Sequence, residues 1–108
     1  YQGLPWRAPL MIVAISRHQE HAKVPVIEQD LACGVAVGNM LLAAHAMGLG
    51  AVWRTGALAY HPVVRRGLAL EENEHILAFL YVGHPAGERK AVPALDVDRF
   101  FTRWPAQD

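Results

Sequence analysis

The stretch VIEQDLACGVAVGNMLLAAHAMGLGAVWRTG, residues 26–56, decides how this chain folds. Its opening carries Glu28 and Asp30, which suit the positive end of a helix dipole. From Leu31 through Trp53 there is then no formal charge for 23 residues. Leu31, Val35, Leu42 and Ala46 fall on one side of a helix, while Val37, Met40, Leu41 and Ala44 fall on others. A helix apolar nearly all round is expected to be buried against more than one surface. The reading is therefore a long helix over 26–47, entered through Pro25 in its first turn. Gly48 supplies a left-handed stop and Gly50 a tight turn.

Length alone would let this segment span a bilayer, and Gly34-x-x-x-Gly38 would suit a tight helix pair there. A small membrane-associated helix dimer is thus one reading. Asn39 and His45 inside the segment, and the two glycines that end it, speak for a buried helix of a soluble domain. The flanking strands point the same way, since they need a core and this is the only long helix to supply it. Gly34 and Gly38 then allow close approach of another backbone, within the domain or from a second subunit.

Working outward, Leu10–Ile15 is a continuous aliphatic run that reads as a strand buried on both faces. A solvated connection follows from Arg17 to Lys23. Gly50–Gly56 reads as a second strand, Val63–Leu68 as a two-turn helix introduced by His61-Pro62, and His75–Gly83 as a third strand. Glu71–Glu74 is an exposed acidic turn. Residues 1–9, with Pro5 and Pro9 around Trp6 and Arg7, read as loop. Asp96 is placed to cap a last short helix holding Phe100, Phe101 and Trp104.

The 108 residues make one domain, for which a close-packed chain has a radius of gyration of roughly 13 Å. At 53% hydrophobic and 19% charged, the composition supports a core. Ten Lys plus Arg balance ten Asp plus Glu, which argues against a nucleic-acid backbone binder. Cys33 stands alone, so no intramolecular disulfide forms, and a reducing cytoplasm is the expected compartment.

Chemistry-bearing motifs are few. His18 and His21 lack a third ligand nearby and read as surface histidines, and no metal is expected. His45, on an apolar helix, reads as a core or pocket residue bonded to backbone. Cys33 reads as inert filling of the helix. Ser16 is the only serine and has no nucleophile-elbow context. Gly48-x-Gly50 follows a helix and precedes a strand, the reverse of a dinucleotide fingerprint. What remains is Trp53-Arg54-Thr55-Gly56, at the end of a buried strand. It offers a cation, a flat apolar surface and exposed amides, a set suited to a planar anionic ligand such as a phosphorylated aromatic cofactor. Equally, Arg54 could simply leave the sheet for solvent with its stem over Trp53.

Several segments in register resemble the FMN-dependent nitroreductase family, and within it the short NAD(P)H nitroreductase branch of the YdjA type. They are Arg7–Val13, Lys23-Val24-Pro25, Glu28-Gln29, the run from Asn39 through Gly56, Pro62–Arg65 and Phe79–Pro85. The resemblance implies an α+β fold, a nitroreductase-like mixed sheet with a long buried helix, in a homodimer with FMN at the subunit interface. It implies a ping-pong cycle that takes hydride from NAD(P)H through FMN to a nitroaromatic or quinone-like acceptor. By position it puts Trp53, Arg54 and Thr55 against FMN, and Ala43, Ala44, His45, Ala46, Met47 and Gly48 in the segment assigned to the nicotinamide cofactor. It assigns no catalytic side chain, because the flavin does the redox work. Arg89 and Lys90 fall where some relatives place a basic flavin-phosphate contact, but the local match is poor. The family's N-terminal Arg-Arg-Ser flavin-phosphate segment has no counterpart. Residues 1–108 are therefore expected to be the C-terminal part of a single domain, incomplete at its N-terminus. A non-catalytic flavin-fold interaction module, or an inactive fragment, is the alternative.

Overall fold

The computed structural model describes residues 8–106, so the loop expected around Pro5, Trp6 and Arg7 lies outside the described residues. Along the chain run β1 (Leu10–Arg17), α1 (Val26–Ala46), β2 (Gly50–Arg54), α2 (Pro62–Gly67) and β3 (Glu74–Gly83). Single 3-10 turns lie at Ala57–Tyr60 and Val97–Arg99. The sheet order is β1-β3-β2, and both pairings are antiparallel. The α+β class holds, and these three strands form an open antiparallel sheet.

β3 owes its central place to its composition. Side chains alternate across a strand, and β3 is apolar on both faces. Ala78 and Leu80 meet Val37 of α1, with Ile12, Ala14, Leu41 and Val82 around them. Ile76 and Phe79 meet Ala59 on the opposite face, with Met11, Val13, Leu58, Val64, Leu70 and Tyr81. The register steps between Ala14 and Ile15, which face Ala78 and Ile76 in turn and leave Leu77 as the extra residue of a bulge. Without that insertion Ile76 would fall on the α1 face; with it, both apolar sets stay in register.

α1 is buried on one stripe only. Val37 and Ala44 are its buried residues, whereas Leu31, Val35 and Leu42 are each more than 60% exposed. Within one chain the sheet covers the helix from one side. By length and composition α1 would pass for a membrane span, yet its inner stripe is packed on β3. Gly34 approaches the Trp53 ring, and nothing among the described residues lies within 4 Å of a side chain built at Gly38, so neither meets a close backbone there.

The ends of α1 refine the expected boundaries. Pro25 is the N-cap, extended at ψ 160, rather than a first-turn residue. Its carbonyl accepts from the amides of Glu28 and Gln29. At the other end Gly48, at φ +79, completes a Schellman cap: Leu49 N–H donates to Ala44 O and Gly48 N–H to His45 O. Gly50 is no tight turn but the first residue of β2, opposite Gly83.

The C-terminal helix does not form. Asp96 accepts from Asp98 N–H at 3.2 Å but starts a single 3-10 turn, and Phe100, Phe101 and Trp104 are 69–93% exposed. Between Pro93 and Pro105 the chain is too short to sustain a helix without a surface to pack on. This tail and the one-sided helix give a flat shape, 57 × 48 × 24 Å. The radius of gyration is 17.9 Å, well above the close-packed expectation.

Leu80, 1% exposed at the crossing of β3 and α1, is the most sensitive core position. Leu80→Ala is expected to lower stability by about 2–4 kcal/mol, and Val92→Ala, in the exposed tail, by less than about 0.5 kcal/mol. Urea denaturation of the two variants checks the contrast.

Candidate functional site

Among the described residues β2 pairs only with β3, and its outer edge has no strand partner. Trp53 stands opposite Leu80 and Arg54 opposite Phe79. Facing residues of an antiparallel pair share a face, so the pleat sends Trp53 toward α1 and Arg54 to the far side of the sheet. The two side chains proposed to act together are thus parted, and the Arg54 stem does not lie over the Trp53 ring. Among the described residues the Arg54 guanidinium has no ion-pair partner.

Trp53 has a defined internal role. Its indole Nε1–H donates to the Leu77 carbonyl at 2.9 Å, at the β3 bulge. The ring sits beside Gly34, where an added side chain would meet it at 3.9 Å. Trp53, Leu77, Gly34, Ile27, Leu31 and Val35 line a mainly apolar groove of about 430 Å³, with Asp30 the one charged residue in its lining. Thr55 follows β2 and is exposed, and Gly56, at φ +78, turns the chain into the 3-10 segment.

The segment Ala43–Gly48 is the last turn of α1 and its cap, and it meets β2 at the strand's first residue. Trp53–Thr55 lies at the other end, about 13 Å along the strand at ordinary rise per residue. Among the described residues the structure joins the two assigned segments through one short strand, and Ala43–Gly48 is not part of the wall of the groove beside Trp53. His45 is exposed rather than buried, and its Nε2 lies 3.4 Å from Arg89 Nη1. Among the described residues His45, exposed on α1, meets Arg89 of the tail and no backbone carbonyl.

One cluster escaped sequence reasoning. Ser16 Oγ–H donates to Asp30 Oδ1 at 2.7 Å, and His18 Nε2 lies 2.7 Å from the same oxygen. The His18 ring stacks on His75, with centroids 4.5 Å apart. Bonds from Ser16 and His18 hold the Asp30 carboxyl below the usual carboxylate range. His18 is no free surface histidine, because its backbone is also tied to Asn73 on both sides. Nothing local in the sequence pairs positions 16, 18, 30 and 75. Cys33 agrees with its inert reading, as burial, and then the Asp30 charge, push its thiol up. No group of three metal-ligating side chains converges among the described residues.

The nitroreductase family model matches residues 1–84. The chain belongs to the nitroreductase family. It is 43% identical over 96 residues to YdjA of Escherichia coli (strain K12), whose assignment as an NAD(P)H nitroreductase is by name. That match covers 89% of this chain and 51% of YdjA. A similarly named Haemophilus influenzae protein is 31% identical over 83 residues, 76% of this chain and 45% of its own. This nitroreductase chain thus spans about half the length of the curated relatives it matches. Among solved structures, nitroreductase A from Vibrio parahaemolyticus superposes with a TM-score of 0.78 at 26% identity, over 99% of this chain and 50% of that one. A nitroreductase-like protein from Desulfovibrio desulfuricans, solved in complex with FMN, gives 0.70 at 28% identity, over 90% and 55%.

Two outcomes follow for this nitroreductase chain. Trp53→Phe leaves a smaller aromatic ring and removes the donor to Leu77, so stability should fall by about 1 kcal/mol or more in chemical denaturation. Asp30→Asn tests the carboxylate. A carboxyl held below its ordinary value near 3.8 stabilises above the unfolded-state value and loses that contribution as pH falls through the folded-state one. The gap between the parent and Asp30→Asn should be about 1 kcal/mol at pH 7, given the partial exposure of the pair. It should close as pH falls below about 4, in denaturation curves taken from neutral to acid pH.

Proposed function

We propose that this chain is the C-terminal part of a single nitroreductase-like domain of a cytoplasmic FMN-dependent NAD(P)H oxidoreductase. The observation that carries the reading is 43% identity to YdjA across 89% of the chain, supported by the likeness to a structure solved with FMN.

The residues present fit part of a flavin site. Arg54 offers a guanidinium with no ion-pair partner among the described residues, suited to an anionic or carbonyl oxygen. Thr55 offers a hydroxyl beside it, and β2 an edge of backbone groups with no strand partner among the described residues. Arg54 and Thr55 would hold the polar rim of FMN, while Trp53 braces the strand from the other face. The chemistry that FMN supplies when bound is two-electron transfer from NAD(P)H to a nitroaromatic or quinone-like acceptor in ping-pong order. In this reading the protein binds, orients and excludes water, and no acid–base pair is required. Ala43–Gly48, at the far end of β2, would serve the nicotinamide cofactor.

A homodimer is part of the proposal. The outer stripe of α1, with Leu31, Val35 and Leu42 exposed, is an apolar face of the kind that marks an interaction surface. A second copy would cover it. Neither nucleic acid nor a membrane is proposed as a partner.

The test is an absorbance spectrum and FMN titration of the protein with its native flanking sequence. Flavin should co-purify, NAD(P)H should bleach it, and light scattering should give a dimer mass. Arg54→Ala should weaken FMN binding about tenfold or more, the scale of a lost charge-assisted bond; unchanged occupancy removes Arg54 from the site. Absence of flavin even after added FMN would favour the non-catalytic interaction module.

A further inference from the structure

The ladder between β2 and β3 stops at the rung that carries the guanidinium. Arg54 opposite Phe79 is the last pair. The chain then leaves the sheet, and Gly56 at φ +78 turns it into the 3-10 segment. Among the described residues β2 has no strand on its outer edge. Backbone pairing therefore holds Arg54 from one side only, and no rung follows it. The terminal rung of an edge strand opens more readily than an internal one.

Trp53 carries a tie past that end. Its indole Nε1–H donates at 2.9 Å to the carbonyl of Leu77, two residues along β3 from the last rung. Leu77 pairs in neither ladder, being the bulge residue toward β1 and lying beyond the last rung toward β2. Its neighbours Ile76 and Ala78 are both buried, so the tie is anchored on the best-packed strand. Gly34 leaves the ring room against α1, since a Cβ there would already touch it at 3.9 Å. Alternation along β2 puts the tie and the guanidinium on opposite faces. The space in front of Arg54 is thus left free by the bond that holds it.

We propose that Trp53 is a positioning residue, whose indole bond to Leu77 clamps the end of β2 and so holds Arg54 where it meets FMN. This role rests on the flavin reading of Arg54 given above, and it sets the Trp53 side chain behind the site rather than in it. The guanidinium sits on a flexible stem, so its reach depends on where its Cα is held. An opened rung moves that Cα, and a contact made about 1 Å too loosely forfeits much of a directional bond. Loss of the clamp should then cost about fivefold in FMN affinity, the scale of one neutral hydrogen bond.

FMN titration of the protein with its native flanking sequence reads the clamp. Replacing Trp53 by benzothienylalanine keeps the two-ring shape and puts sulfur where the N–H stood. That isostere should weaken FMN binding about fivefold, and Trp53→Phe by as much or more. Ile12→Val, a core change of similar cost to stability, should leave FMN affinity unchanged. In the Arg54→Ala background the isostere should change affinity by less than about twofold, because the clamp no longer has a guanidinium to hold. Unchanged affinity with the isostere, the full loss in both backgrounds, or an equal loss in Ile12→Val would overturn the clamp. If Arg54→Ala by itself leaves FMN affinity unchanged, the flavin reading of Arg54 fails and the clamp falls with it. The isostere, matched in size, decides the matter if Trp53→Phe does not fold.

Discussion

The structure depends on β3 being apolar on both faces at once. Leu80 and Ala78 can be buried only if a helix lies on one side, and Phe79 and Ile76 only if something covers the other. α1 meets the first need; Ala59 in the 3-10 turn, with Val64 of α2 beside it, meets the second. Because the chain has to serve both faces, β1 and β2 end up flanking β3, each with one edge unpaired among the described residues. The bulge at Leu77 belongs to the same constraint, since it keeps Ile76 and Phe79 together on the α2 side.

A second consequence is the division of α1. Its inner stripe is packed by burial and its head by hydrogen bonds, while its outer stripe is as apolar as a core and bare in one chain. A helix needs only a stripe of about 100° to pack on one neighbour, so the remaining apolar surface calls for another. The same surplus produces the groove beside Trp53 and leaves His45 to meet Arg89 from the tail.

The candidate site was legible in part. Trp53-Arg54-Thr55 stood out because a cation, an aromatic and a hydroxyl end an uncharged run. Their neighbourhood was not legible, because alternation along β2 sends Trp53 and Arg54 to opposite faces. The Trp53 indole serves the Leu77 carbonyl, a partner 24 residues away in sequence. The Ser16–Asp30–His18–His75 cluster was invisible for the same reason: its members are polar residues with ordinary local contexts. The tail misled in the opposite direction. Asp96 and three aromatics gave a helix pattern, but pattern needs a surface to bury against, and the chain provides none there.

By itself the sequence determined the order of elements, the long helix and its glycine stop, the three strands, and the likeness that places the chain among nitroreductases. These rest on local propensity, apolar period and motif order, all of which are properties of short stretches. The tertiary structure alone decided the strand order, which face each side chain takes, how little of α1 is covered and which polar groups meet at its head. Those depend on register and on contacts between distant residues, where a shift of one position moves every side chain to the other face.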